Sequence, residues 1–387
     1  MEINNIIRNF EEIHKRLIDS LPQRIRPVSL ESNISEKRAV IVYGLRGVGK
    51  TVFLLNASKN KNFLYFSADN PLIYNIPIIE LIDKIFKSGY DGVVIDEIHF
   101  SKDWAAHLKS AYDSYPSKTI WVSGSSNLVL KKGLADLSRR FLSVHLPLLS
   151  FREYIYLKEG IMLDKINLFE SIKNYDNIKS KKINVLKLFK EHINGGIRPI
   201  FYEGDYSERL KNMIEKSVFY DIPFYINTIT DNYLRLMNGI IGHLITSPIP
   251  TLNISKMTSE WEIGKHKLYF LLEIMDKMEL IKIIKPKNKK HTYTKGSKIF
   301  LTDSSIYSCF NGNLGNIRES YFVNSVSKSY PICSSENEDE YDYLVGDLKL
   351  EIGGKSKSLK KADFVISDDI EMPVKNRIPL WMAGLTY

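Results

Sequence analysis

The sequence predicts an α/β protein that opens with a doubly wound parallel sheet, and three observations carry that prediction. A glycine-rich turn from Gly44 to Thr51 joins a β-branched run to an apolar-spaced helix, a second apolar run ends in Asp96 and Glu97, and a third ends in the turn Ser123-Gly124-Ser125-Ser126. Strands that are apolar throughout, rather than alternating, belong to sheets covered on both faces. At 387 residues the chain is too long for one ordinary core and predicts two or three domains, and its 44% hydrophobic content can fill them.

The first run reads RAVIVYGLRGVGKTVFLL, in which Gly44, Gly49, Lys50 and Thr51 fill the pattern G-x-x-x-x-G-K-[ST]. Glycines there let backbone N–H groups turn inward on a β-phosphate, and the following helix adds its positive N-terminus. Lys50 bridges β and γ oxygens, and Thr51 ligates Mg²⁺. Gly44, Gly47, Val48, Gly49, Lys50, Thr51 and Val52 are therefore the candidate contacts to ATP. A phosphate loop needs an acidic strand end, and DGVVIDEIHF supplies one: Asp96 to complete the Mg²⁺ shell and Glu97 to polarise the attacking water. The third strand, KTIWVSGSSNLVL, would lie beside Asp96, where a hydroxyl such as that of Ser125 reports on the γ-phosphate or orients water; a Ser-Gly turn capping the next helix is an equal reading. Arg139 and Arg140 are either solvated residues or the source of an arginine that stabilises γ-phosphate charge across a subunit boundary in a homo-oligomer, and spacing does not choose between them.

Composition narrows the setting. Lys plus Arg number 54 against 45 Asp plus Glu, a net charge of +9 and a pI of about 9.1, which permits nucleic-acid binding without requiring it. Cys309 and Cys333 are too few for a disulfide framework or a metal knuckle, so a reducing, cytoplasmic compartment fits. The N-terminal MEINNIIRNFEEIHKRLIDSL carries charges through its apolar pattern and reads as a soluble amphipathic helix, neither a signal peptide nor a membrane span.

With these motifs together, the chain resembles the prokaryotic AAA-type ATPases that carry a C-terminal restriction-endonuclease-like domain. The matching segments are GLRGVGKT, DEIHF, SGSSN, SRRFLSVHLPLLSFREY and, at His192 to Phe201, HINGGIRPIF. The resemblance covers almost the whole chain, is most specific in the ATPase half, and aligns Arg140 with the family's candidate arginine finger. It implies four regions: an AAA-type P-loop domain over 1–150, a helical region over 151–229, a winged-helix domain over 230–303 and a nuclease-like α/β domain over 304–387.

The residues beyond 150 support this division in part. Residues 151 to 223 read as helical and Lys-rich, a pattern usual for solvated helix faces. From Asp231 to Asp303 the order is helix, short helix, longer helix and two strands with a basic tip, as in a winged helix-turn-helix. No acidic residue falls between Leu280 and Thr302, while Lys282, Lys285, Lys287, Lys289, Lys290, Lys295 and Lys298 all do, with His291 and Tyr293 among them. Such a face suits duplex DNA phosphates, with Lys287, Lys289 and Lys290 as candidate contacts; a packing role for the same fold is the alternative.

By the resemblance, a nuclease-like end uses a helix Glu, a strand Asp and an E-x-K motif, with carboxylates on Mg²⁺ and the lysine orienting water. Glu319, Asp342 and Glu351 answer to the three acids. Gly353 stands where the lysine is expected, and Lys355, four residues after Glu351, is the substitute if strand alternation continues. The domain is expected to be degenerate, leaving three readings of the chain: an ATPase engaging DNA or a partner, an ATP-gated nuclease, or a nucleotide-dependent protein switch. The closing RIPLWMAGLTY is expected to be a core strand.

Overall fold

The computed structural model describes residues 3–28, 33–125, 137–226, 229–248 and 251–387. They fall into two compact units, 1–147 and 148–387.

In the first unit, β1 (Ala39–Tyr43), β2 (Phe63–Ser67), β3 (Gly92–Asp96), β4 (Thr119–Gly124) and β5 (Leu142–His145) form one parallel sheet in the order β2-β3-β4-β1-β5. Every residue of β3 and the central residues of β1 and β4 are buried, as the unbroken apolar runs require. Register pairs Tyr43 with Gly124 and Ile95 with Val122, so β1, β4 and β3 end together along one edge of the sheet. That common edge is where the glycine loop, Asp96 and the Ser-Gly turn meet. The helix Ile78–Lys87 buries Ile78, Leu81, Ile82, Ile85 and Phe86, a spacing of three and four that makes one apolar stripe. Each such side chain gains roughly 1.5–3 kcal/mol on leaving water. The N-terminal helix, Ile3–Asp19, buries Ile6, Ile7 and Phe10, and Phe10 stacks on Phe66 of β2 with ring centroids 5.1 Å apart. No helix among the described residues is long and apolar enough to cross a membrane.

The second unit begins with helices Phe151–Glu159, Ser171–Lys179, Val185–Gly195 and Tyr206–Lys216. The first is fixed by a reciprocal cap, in which Ser150 Oγ accepts from the Glu153 N–H and Glu153 accepts from the Ser150 N–H. Helices Asp231–Thr246, Ile254–Glu260 and Lys265–Lys277 follow, then an antiparallel hairpin of β6 (Ile281–Ile284) and β7 (Lys298–Leu301). After helix Leu314–Val326 comes a mixed sheet of β8 (Ile332–Ser334), β9 (Tyr343–Val345), β10 (Leu348–Gly353), β11 (Phe364–Ser367) and β12 (Arg377–Pro379), ordered β12-β11-β10-β9-β8. Strands β8, β9 and β10 run antiparallel, while β10, β11 and β12 are parallel.

One hydrophobic cluster joins Phe151 and Phe189 of the early helices to Phe322, Tyr343 and Trp381 near the end of the chain. Positions 229 and 303 therefore lie inside one compact unit with a shared core. The terminal segment is a strand only from Arg377 to Pro379; at Pro379 it turns into the short buried helix Leu380–Ala383. Proline suits that change, because it has no N–H to extend a ladder and its fixed φ favours a helix start.

Candidate nucleotide site

The loop from Gly44 to Lys50 closes against the backbone of the segment after β5. Gly44 has φ 152°, and a Cβ on it would lie 2.2 Å from the Leu146 carbonyl oxygen. Gly49, at φ 92°, is the left-handed residue that starts helix Lys50–Ser58. Only glycine takes these positions without strain, so the motif glycines are explained by geometry before any ligand is considered. Lys50 is buried, and its Nζ donates to the carbonyls of Gly44 at 3.0 Å and Leu45 at 3.2 Å. The loop curls around an ammonium, as a phosphate cradle does. Gly47 has φ 75°, Val48 is buried, and Thr51 and Val52 are half-buried on the first helical turn.

Across β4, Asp96 is a buried acceptor for four donors. Thr51 Oγ1 donates to Oδ2 at 2.5 Å and Tyr65 OH at 3.2 Å; Oδ1 takes the Ser123 hydroxyl and the Glu97 N–H, the latter at 3.0 Å. Four donors leave the carboxylate one orientation, with the Thr51 hydroxyl beside it. Burial, then the charge of Asp96, pushes the Tyr65 phenol far above its ordinary range, so Tyr65 acts as a donor. The chain turns left-handed at Glu97, φ 47°, immediately after β3. The Glu97 carboxylate faces Arg46 Nη1 at 3.4 Å and His99 Nδ1 at 3.4 Å. A hydroxyl and a carboxylate already adjacent fit a shared Mg²⁺ shell, and a second carboxylate one residue on fits a water-activating base.

The family described as the AAA domain matches residues 36–155. Residues 36–155 are thus similar to AAA domains, and they include the glycine loop, Asp96 and Glu97. An uncharacterized protein of Methanocaldococcus jannaschii is 29% identical over 282 residues, which is 65% of this chain and 57% of that protein. The chain thus spans little more than half the length of that relative. Among solved structures, a Walker-type ATPase of Pyrococcus abyssi is similar at 14% identity and TM-score 0.42, covering 76% of this chain and 96% of its own. RuvB of Thermotoga maritima is similar at 14% identity and TM-score 0.27, covering 71% of this chain and 88% of its own.

Further candidate residues lie in the first unit. Ser125 is buried just beyond β4, and Ser126 lies outside the described residues. Arg140 is held in its own chain by a two-pronged pair with Asp113, both contacts 2.8 Å, while Arg139 is exposed. Tyr65, Arg46 and His99 were missed by sequence reasoning. A tyrosine inside a strand reads as core, and Arg46 fills a position that the loop pattern leaves open.

In the second unit, Lys287, Lys289 and Lys290 are exposed between β6 and β7, and Lys287 pairs with Asp347 at 2.9 Å. The seven lysines of this stretch do not share one face. Lys282 is half-buried against Ser327, with burial bringing it down to about 8, and Lys298 is buried. A hairpin alternates its sides, so a run of lysines in sequence is divided between core and solvent.

Glu319 of helix Leu314–Val326 and the acids of the C-terminal sheet each face lysines. Lys298 Nζ is 3.3 Å from Glu319 and 3.4 Å from Glu338, and Tyr343 OH donates to Glu319 at 2.5 Å. Burial raises the Glu319 carboxyl, and Lys298 and Tyr343 offset this only in part; burial lowers the Lys298 ammonium, but Glu319 and its neighbours more than reverse that. Asp342 accepts from the Ile352 N–H at 2.8 Å. Strand β10 ends at Gly353, so Lys355 falls in an exposed turn where strand alternation no longer applies. Lys357 fills its expected place. Its stem passes so close to Gly353 that a Cβ there would meet it at 2.8 Å, and its ammonium reaches Glu351 at 2.8 Å and Asp342 at 3.4 Å. Lys360 also reaches Glu351, at 3.1 Å; both contacts to this fully buried carboxylate are charge contacts rather than aligned hydrogen bonds. Among the described residues no group of three or more acidic, His or Cys side chains is placed to hold a metal ion. Glu319 is thus paired with Lys298, and Glu351 and Asp342 with lysines from beyond the end of β10.

Proposed function

We propose that the chain is a Mg²⁺-dependent ATPase whose nucleotide cycle controls how residues beyond 150 engage duplex DNA or a partner macromolecule. The observation that carries the ATPase reading is the convergence on one sheet edge of Lys50 in its cradle, Thr51 hydrogen-bonded to Asp96, and Glu97 one residue on. Lys50 and the loop N–H groups bind the β and γ phosphates, and Glu97 orients water and accepts its proton as the γ-phosphoryl group leaves. Thr51 and Asp96 would hold Mg²⁺, which neutralises phosphate charge when bound. DNA engagement is supported by the helix-helix-helix-hairpin order from Asp231 to Leu301 and the exposed lysines at the hairpin tip. The lysine-filled acidic site supports gripping over cutting. If Arg139 or Arg140 acts on a neighbouring subunit's nucleotide, the exposed Arg139 can do so without first breaking the Asp113 pair.

The test is a pair of variants. Lys50→Ala should lose nucleotide binding, whereas Glu97→Gln should bind ATP and lose turnover by roughly 10²–10⁴-fold. Equal loss of ATP binding in both would overturn the assignment of Asp96 and Glu97.

A further inference from the structure

The helix Lys265–Lys277 buries Leu268, Leu271, Leu272, Ile274 and Met275, while a second stripe, at a spacing of three and four, leaves His266, Tyr269, Phe270 and Glu273 exposed. A solvent stripe is ordinarily polar, yet two large rings stand in this one, each 37% exposed. Neither ring is isolated. Tyr269 lies against Tyr293 of the loop between β6 and β7, with centroids 6.0 Å apart, and Phe270 meets Tyr233 edge to face at 5.8 Å. Lys267 Nζ sits 4.3 Å from the centre of the Tyr233 ring. The first turn of the helix has no acidic residue and carries Lys265, His266 and Lys267 instead, where the helix dipole disfavours cations. Lys289, Lys290 and Lys295 are exposed on the same loop as Tyr293. Glu273 and Asp276 also lie near Tyr293, and Glu273 is already paired with Lys277.

Resting on the DNA reading above, we propose that this face binds single-stranded DNA, with unpaired bases stacked on Tyr269 and Tyr293 and the flanking lysines on the phosphates. A helix that reads a duplex presents hydrogen-bonding side chains to base edges in the major groove. Tyr269 and Phe270 offer rings instead, and in a duplex the base faces are covered by the neighbouring pairs. An unpaired strand presents both a charged backbone and free base faces, which is the combination that cations and exposed rings together fit. A tyrosine has only two side-chain torsions to fix, and contact with a second ring restrains them further, so ordering it around a base costs little. The loop lysines serve either form of DNA through its phosphates; the rings supply the difference between the forms. Stacking accepts every base, so the face selects strandedness rather than sequence. An acidic protein would satisfy the lysines and leave the rings without a use.

The experiment is equilibrium binding of the full chain to a labelled oligothymidylate and to a duplex of the same length, each over a range of salt. The single strand should bind more tightly than the duplex at equal salt. Tyr269→Ala should weaken the single strand by about tenfold and leave the duplex within about twofold, with the salt slope unchanged because no charge is lost. Tyr269→Phe keeps the stacking surface and should restore most of the affinity. Replacing Lys289 and Lys290 with Gln should instead lower the single-strand slope by about 0.7 for each phosphate no longer neutralised. If Tyr269→Ala weakens both forms equally or neither, or if Tyr269→Phe binds as poorly as Tyr269→Ala, the proposal is overturned while duplex engagement stands. A parent chain that binds neither form at any salt would overturn the DNA reading itself, and the proposal with it.

Discussion

At the scale of single residues, the site is explained by what each position cannot be replaced with. Gly44 combines a left-handed φ with a carbonyl 2.2 Å from where a Cβ would sit, so Gly44→Ala must move either the loop or the backbone at Leu146. The strained conformation alone costs about 1–3 kcal/mol. Gly44→Ala should lower the thermal midpoint and weaken nucleotide binding together, measured by melting with and without ADP; an unchanged midpoint would show that the loop adapts freely. The glycines, Lys50, Thr51, Asp96 and Glu97 were legible in the sequence because spacing and chemistry both name them. Arg46 and Tyr65 were not, since their roles depend on which strands become neighbours. Lys357 and Lys360 were hidden for a related reason: both lysines that reach Glu351 come from beyond the strand end, where periodicity carries no information.

At the scale of elements, Lys298 ties β7 to helix Leu314–Val326 through Glu319. Removing one partner of a buried pair leaves the other charge unpaired and costs about 3–5 kcal/mol. Lys298→Met keeps the stem and removes the cation, so urea unfolding should show a destabilisation of that order at neutral pH. The pH dependence has a definite sign. The Glu319 carboxyl is already raised from its ordinary 4.5 by burial, and removal of Lys298 raises it further. A raised carboxyl binds its proton more tightly in the folded state, so its contribution is fully present below 4.5 and is lost as pH rises through the folded value. The variant's deficit should therefore be smallest in acid and grow toward neutrality; a deficit independent of pH would show that Glu319 does not titrate with folding. In the sequence Lys298 reads as part of a DNA-facing run, because a charge run does not reveal which side of a hairpin each residue takes.

At the scale of the whole molecule, one chain carries both a glycine loop at a parallel sheet edge and a basic hairpin. Lys289 and Lys290 are exposed, whereas Lys287 is already paired with Asp347. Replacing Lys289 and Lys290 with Gln should lower the salt slope of duplex binding by about 0.9 for each phosphate no longer neutralised, equally for all sequences, and by more than Lys287→Gln does. Binding that matches the parent at every salt concentration would assign the hairpin to packing and favour a protein partner. Strands β1, β3 and β4 of the N-terminal sheet were legible because they are apolar runs that end in chemistry, whereas β5, Leu142–His145, is short and largely exposed and gave no such signal. The shared core of the second unit was not, since Phe151 and Trp381 meet only after the chain has folded back across more than half its length. The central claim is that Lys50 binds the phosphates and Glu97 activates water at the edge shared by β1, β4 and β3. The most direct test is to measure ATP binding at equilibrium and phosphate release at saturation on the parent, Lys50→Ala and Glu97→Gln proteins. Binding should be lost only with Lys50 and turnover with either; a Glu97→Gln protein that hydrolyses ATP as fast as the parent would contradict the claim.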